Sequence, residues 1–249
     1  FTLIHDDIID NATLRRGKKT IHNKWNNNVG ILSGDLLMII ANKIFSDLPL
    51  RIMQKVLNRF NEIAIKICEG QQYDMNYENE KSITEKQYIN MIRLKTATLI
   101  GFSLELGGIL SKMKDLDIKN LYKFGEFIGI GFQLQDDYLD VFGDRKFGKK
   151  IGGDILLNKK TYLLIKLLKS TNEKEKIIIN NWINNSNNPT KKIEAITSLM
   201  KDKNIDSITE SVINDYFNKA FDYLKKIDIK NSQKNELIEF SKKLINRKN

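Results

Sequence analysis

Apolar residues recur every three or four positions along almost the whole chain, the spacing of helix faces rather than of strands. Residues 29–48 are apolar on nearly every side and predict a long, mostly buried helix that stops before Pro49. Residues 50–78 carry an amphipathic pattern and predict a second helix. A third spans 84–110, with Thr84 as its cap and Gln87 three positions on, the pairing of a capping box. A fourth covers 120–144; Gly125, Gly129 and Gly131 let other helices approach it closely at some cost in propensity, and Gly143 marks its end. Residues 143–160, rich in Gly and Lys, read as a loop before a helix over 161–170. A second loop spans 184–189, and shorter helices follow over 189–202, 208–227 and 233–246. No segment sustains two-residue alternation and no repeat period is present, so the expected fold is all-α, one domain over 1–249, with central helices apolar nearly all round.

Composition narrows the function classes. The 249 residues carry a net charge of +10. The lysines are scattered among equally abundant Asn and Ile, as in "TNEKEKIIINNWINNSNN", so the basicity is compositional bias rather than a nucleic-acid site. It suits an acidic small substrate such as a phosphate ester equally well. The lone cysteine, Cys68, excludes a disulfide within the chain and reads as a buried small hydrophobe, and Trp25 as a core anchor. No signal peptide and no run of eighteen apolar residues is present, which predicts a cytoplasmic protein without a membrane span. The first residue is Phe, inside a helical pattern that lacks a cap, and the expectation is that N-terminal helices precede it.

Two acidic turns carry the candidate chemistry. At about 100° per residue, Asp6 and Asp10 of "DDIID" share one helix face, and Asp7 lies one turn from Asp10. Asp136, Asp137 and Asp140 of "DDYLD" repeat the spacing 130 positions later, one turn after Gln133. A lone copy would read as solvated surface. Two copies within apolar helices predict partly buried carboxylates, costly unless a cation offsets them. With only His5, His22 and Cys68 available, zinc is disfavoured, and the oxygen-only donor set points to Mg²⁺. Arg15 and Arg16 follow the first turn; Lys149, Lys150 and Lys159 follow the second; Lys95 sits among apolar neighbours beside Thr96. Together they predict a cavity that holds a diphosphate through metal.

These motifs resemble the trans-polyprenyl diphosphate synthase family, the head-to-tail isoprenoid chain-elongating enzymes. Asp6-Asp7-Ile8-Ile9-Asp10 followed by Arg15-Arg16-Gly17, then Gly34-Asp35, Gly70-Gln71 with Asp74, Lys95-Thr96, Phe132-Gln133 before Asp136-Asp137-Tyr138-Leu139-Asp140, and "GKKIGGDILLNKKT" occur in the family's order. The resemblance implies the isoprenoid synthase helical bundle around a deep central cavity, here without its N-terminal helices, and a homodimer. It implies Mg-dependent condensation of isopentenyl diphosphate with an allylic diphosphate, giving a short-chain (C15–C20) prenyl diphosphate. Asp6, Asp10, Asp136 and Asp140 would ligate Mg²⁺, three ions in all with the allylic diphosphate bound. Arg15, Lys95, Lys150 and Lys159 would contact that diphosphate, Arg16 would hold isopentenyl diphosphate, and Gln71, Thr96 and Gln133 would steady the prenyl end or developing charge. Arg247 is read as surface tail.

In such an enzyme, bulk just before the first aspartates limits the product, and Phe1 and Thr2 occupy that place. His5 reads either as a hydrogen-bond donor behind Asp6 or as packing, and His22 as a structural partner of the Arg loop. Four alternatives stand beside this reading, one of them a plain helical binding protein, which would leave the paired motifs unexplained. A class I terpene cyclase would carry a different second motif, of which "NDYFNKAFD" lacks the hydroxyl and final acid. A non-catalytic partner subunit would lose one aspartate motif, and both are intact. A longer-chain polyprenyl synthase conflicts with the aromatic Phe1.

Overall fold

In a computed structural model, residues 1–143, 151–184 and 188–245 are described. They form two compact units, residues 1–61 and 62–249. Among the described residues the regular structure is helical apart from one two-stranded ribbon.

The first unit holds α1 (Thr2–Ile9), β1 (Leu14–Arg15), β2 (Lys18–Lys19), α2 (Ile21–Lys24), α3 (Asn27–Phe45) and the start of α4 (Leu50–Asn79). Asn26 caps α3, its side chain accepting from the Val29 N–H. α1 lies on α3 at two glycines one turn apart. A Cβ at Gly30 would stand 2.7 Å from Ile8, and one at Gly34 2.2 Å from the His5 ring, so the bare backbone is what lets α1 close. Phe60 is buried beneath, with the Phe1 and Phe45 rings edge-on at 6.3 and 5.2 Å.

The prediction that residues 29–48 are mostly buried is overturned. Of α3, only Gly30 and Gly34 are buried, while Leu32, Leu36, Ile39 and Ile44 are exposed. An apolar pattern says that a surface seeks cover, not which element supplies it. By length and composition alone, α3 is also apolar enough to cross a membrane, although Asp35 and Lys43 lie within it. Trp25 is not a core anchor: it is 58% exposed, with the Lys24 ammonium 4.3 Å above its ring. Cys68, read as buried, is exposed.

The second unit is built on α7 (Asp115–Phe142), which α6 (Thr98–Leu110) and α12 (Ile205–Lys225) flank. The predicted close approach is present: a Cβ at Gly125 would meet the Gly101 backbone at 2.8 Å, and one at Gly129 the Ala97 Cα at 2.6 Å. Phe124, Ile128, Leu134, Phe217 and Leu224 form the core between these helices. Each such side chain contributes about 1.5–3 kcal/mol when fully buried.

The Thr84 capping box forms and opens α5 (Glu85–Ile92). The predicted 84–110 helix is interrupted, however, by a π-helical turn at Arg93–Ala97 before α6 continues. Among the described residues of the 143–160 segment there is one short helix, α8 (Gly153–Leu156), and α9 (Tyr162–Ser170) follows. α10 (Glu173–Asn184) lies in a stretch read above only as compositional bias; it is anchored by Ile179, fully buried against α11 (Pro189–Asp202) and its neighbours. α13 (Asn231–Ile245) ends the described chain.

Candidate functional site

The first acidic turn ends α1. Asp7 is buried, Asp6 half-buried and Asp10, the last residue of the turn, exposed. Asn11 adopts a left-handed backbone at φ 50° that stops the helix, and the chain turns back into the β1–β2 ribbon. Two residues, Arg16 and Gly17, join the strands, both at positive φ (54° and 74°), the signature of a type I′ turn. Gly17 therefore serves the turn. The ribbon is held by Thr20, whose buried hydroxyl donates to the Ala12 carbonyl at 2.6 Å.

This geometry places Arg15 on the aspartates. Its Nε donates to Asp7 Oδ1 at 2.7 Å and its Nη2 to Asp6 Oδ2 at 3.1 Å. One guanidinium thus relieves the repulsion between adjacent carboxylates and fixes both. Arg16, at the tip, is carried away from them by the turn and is exposed. His5 is not behind Asp6: its Nε2 lies 3.2 Å from the Ile31 carbonyl and 3.4 Å from Asp35, so it ties α1 to α3. The His22 Nδ1 is buried without a hydrogen-bond partner.

The second acidic turn lies near the end of α7. Asp136 and Asp140 are half-buried and Asp137 is buried. The buried Tyr88 hydroxyl, from α5, donates to Asp137 Oδ2, and Gln133 Nε2 donates to Asp137 Oδ1 at 3.2 Å. Gln133 Oε1 in turn accepts from the Thr96 hydroxyl at 3.3 Å. This chain of bonds ties the acidic turn to the π-helical turn that carries Lys95 and Thr96. Burial, and then the nearby charge of Asp154, push the Asp137 carboxyl up to about 7.

Three further contacts set the π-helical turn. Lys95 Nζ donates to Asp74 Oδ2 at 2.7 Å. Arg93 Nη1 stands 3.7 Å from the buried Glu126. Gly70 on α4 lies against the turn itself, where a Cβ would fall 2.3 Å from the Lys95 amide nitrogen. An inserted residue in a helix recurs at functional sites because it redirects side chains that regular winding would aim elsewhere. Gln71, next to Gly70, is half-buried. Beyond α7, Asp140 Oδ2 accepts from the Asp154 N–H at 2.9 Å, which ties α8 to the acidic turn, and Lys159 Nζ lies 4.0 Å from Asp154. Lys149, Lys150 and Arg247 lie outside the described residues.

Within each unit, then, the predicted residues meet: Asp6, Asp7 and Arg15 in the first; Asp74, Lys95, Thr96, Gln133 and Asp137 in the second. Sequence reasoning missed Tyr88, which looks like any aromatic on a buried face, and the role of Asp154. Among the described residues no group of three or more His, Cys, Asp or Glu side chains forms a metal cage. The donor set nonetheless fits Mg²⁺, which keeps several waters and is bound through one or two carboxylates plus substrate phosphate rather than by a closed protein shell.

Comparison with known proteins bears on this arrangement. Residues 1–200 match the family model described as polyprenyl synthetase. A geranylgeranyl diphosphate synthase of Saccharolobus solfataricus is 36% identical over 245 residues, covering 96% of this chain and 74% of that protein. A short chain isoprenyl diphosphate synthase of Methanocaldococcus jannaschii is 36% identical over 203 residues, 81% of this chain and 62% of the relative. A crystal structure of a geranylgeranyl pyrophosphate synthase superposes with a TM-score of 0.93 at 36% identity, covering all of this chain and 77% of that one.

Proposed function

The chain belongs to the polyprenyl synthetase family of all-α, Mg²⁺-dependent head-to-tail prenyltransferases, and from that premise we propose that it condenses isopentenyl diphosphate with an allylic diphosphate to give a C15–C20 prenyl diphosphate. The observation that carries this reading is the bonded chain Tyr88–Asp137–Gln133–Thr96, which fixes an acidic turn against the lysine-bearing π-helical turn. Carboxylates and a diphosphate-binding lysine are thereby held on rigid helices.

Asp6, Asp10, Asp136 and Asp140 would hold Mg²⁺, three ions with the allylic diphosphate bound. Held there, Mg²⁺ would supply the positive charge that stabilises the diphosphate as a leaving group. Arg15 keeps Asp6 and Asp7 oriented and, having five N–H donors, has others to offer the diphosphate. Lys95, steadied by Asp74, contacts the same group, as do Lys150 and Lys159. Arg16, on its exposed turn, binds isopentenyl diphosphate. The Thr96 and Gln133 oxygens, with Gln71, face the positive charge that develops as the allylic C–O bond breaks. The double bond of isopentenyl diphosphate attacks that carbon, and a proton then passes to the released diphosphate; apolar surroundings exclude the water that would otherwise quench the cation. Phe1, backed by Phe60, and Thr2 set the limit on chain length.

The exposed apolar residues of α3 support a homodimer, and the phosphorylated substrates suit a cytoplasmic enzyme without a membrane span. The test is Asp6→Ala and Asp136→Ala: each is expected to abolish Mg²⁺-dependent binding of an allylic diphosphate in calorimetry and to abolish turnover. Normal Mg²⁺-dependent binding by either variant would refute the metal assignment.

A further inference from the structure

Lys192 is the one lysine among the buried residues of the described chain segments, 1% exposed, and it lies far in sequence from every motif above. A buried ammonium is costly unless its hydrogen bonds are supplied. Here both recorded acceptors are neutral. Lys192 Nζ donates to Asn158 Oδ1 at 2.6 Å and, at 3.4 Å, to the carbonyl of Leu156, the last residue of α8. Its neighbour Ile193 fills the space over Gly152 at the other end of α8, where a Cβ would stand 2.7 Å away. α11 therefore brackets α8 at both ends.

What α8 connects gives this bracket a purpose. Its first turn is bound to Asp140, through Gly152 N–H to the Asp140 carbonyl at 2.6 Å and Asp154 N–H to the Asp140 carboxylate at 2.9 Å. Two residues past its end is Asn158, held in the left-handed region at φ 55°. The Asn158 amide accepts from Lys192 and donates to the Ile183 carbonyl of α10 at 3.3 Å, so it is clamped from two helices. The next residue is Lys159, whose N–H bonds to the Asp154 carbonyl at 2.9 Å. We propose that Lys192 is a positioning residue for diphosphate binding: through Asn158 and the end of α8 it fixes where Lys159 stands relative to the Asp140 end of the second acidic turn. The inference rests on the functional reading of Lys159 and adds to it a buried cation on α11 that touches no substrate.

A lysine kept only for stability and one kept for position behave differently when combined with loss of Lys159. The experiment measures KM for an allylic diphosphate and for isopentenyl diphosphate in Lys192→Met, Lys159→Ala and the double variant, with melting temperature alongside. Lys192→Met is expected to raise the allylic KM on the order of tenfold, with little change in the isopentenyl diphosphate KM, and the double variant to be no worse than Lys159→Ala alone. Asn158→Gly keeps the positive φ and removes the acceptor, and is expected to show the same selective rise; it carries the test if Lys192→Met does not fold. An unchanged allylic KM in the variant that folds, or effects that multiply in the double variant, overturns the positioning role. A wild-type allylic KM in Lys159→Ala overturns the functional reading of Lys159 itself, and the inference with it.

Discussion

Gly70→Ala puts the account of the π-helical turn under direct strain. The new Cβ would lie 2.3 Å from the Lys95 amide nitrogen and 2.8 Å from both the Leu94 carbonyl carbon and the Lys95 Cα. All three are backbone atoms, so no rotamer change relieves the clash. Ordinary contact begins near 3.4 Å, and α4 and the turn must separate by about 1 Å. Overpacking of this kind costs about 1–3 kcal/mol, and in a chain of this size each kcal/mol lowers Tm by about 2–4 °C. The functional effect should be larger. The shift falls on the residues that present Lys95 and Thr96, and a misplacement of about 1 Å near the reacting groups can cost on the order of a hundredfold. The assay is kcat/KM for condensation beside a thermal melt. Gly107→Ala is the control, since a Cβ there meets nothing within 4 Å; in a helix it should be neutral or stabilising by up to about 1 kcal/mol. Gly70→Ala with the Tm and kcat/KM of Gly107→Ala would refute the reasoning.

Three other outcomes are expected. Tyr88→Phe removes a hydrogen bond to the buried Asp137 carboxylate, a loss of about 1.5–3 kcal/mol for a bond to a charged group; it should lower Tm and kcat together, and unchanged values of both would contradict the bonded chain. The Asp137 carboxyl, pushed up to about 7 by burial, lies well above its unfolded value of about 4, so its stabilising protonated form is lost as pH rises through 7. In metal-free protein the Tm of Asp137→Asn should therefore gain on that of the wild type between about pH 4 and pH 7, and a constant difference across that range would contradict the assignment. Phe1→Ala should lengthen the prenyl product as judged by chromatography of the dephosphorylated alcohols; an unchanged product length removes Phe1 from the limit.

The helices were legible where periodicity and local chemistry agreed. Thr84 and Gln87 announced their capping box because that signal acts within a few residues, and Gly125 and Gly129 announced a close approach, though not its partners Gly101 and Ala97. α10 was hidden by the Lys, Asn and Ile bias that surrounds Ile179. The π-helical turn was not legible, since "RLKTA" is ordinary helix-forming sequence and the turn packs against Gly70 of another helix, a contact that no local pattern announces. The same holds for the site. Spacing placed Asp6, Asp7 and Asp10 on one acidic turn, but that Arg15 reaches Asp6 and Asp7 depends on the two-residue hairpin turn. Tyr88 and Lys192 gave no signal: their roles come from partners 49 and 34 positions away. Long-range pairing also decides burial, which is why α3 and Trp25, apolar by pattern, lie exposed.

The most direct measurement is incorporation of labelled isopentenyl diphosphate into apolar product, with dimethylallyl, geranyl or farnesyl diphosphate as primer, in Mg²⁺ and in EDTA. The account predicts Mg²⁺-dependent, primer-dependent incorporation that stops at C15–C20, released with one diphosphate per condensation. Incorporation that survives EDTA, or none with any primer while the folded protein still binds allylic diphosphate, would contradict it.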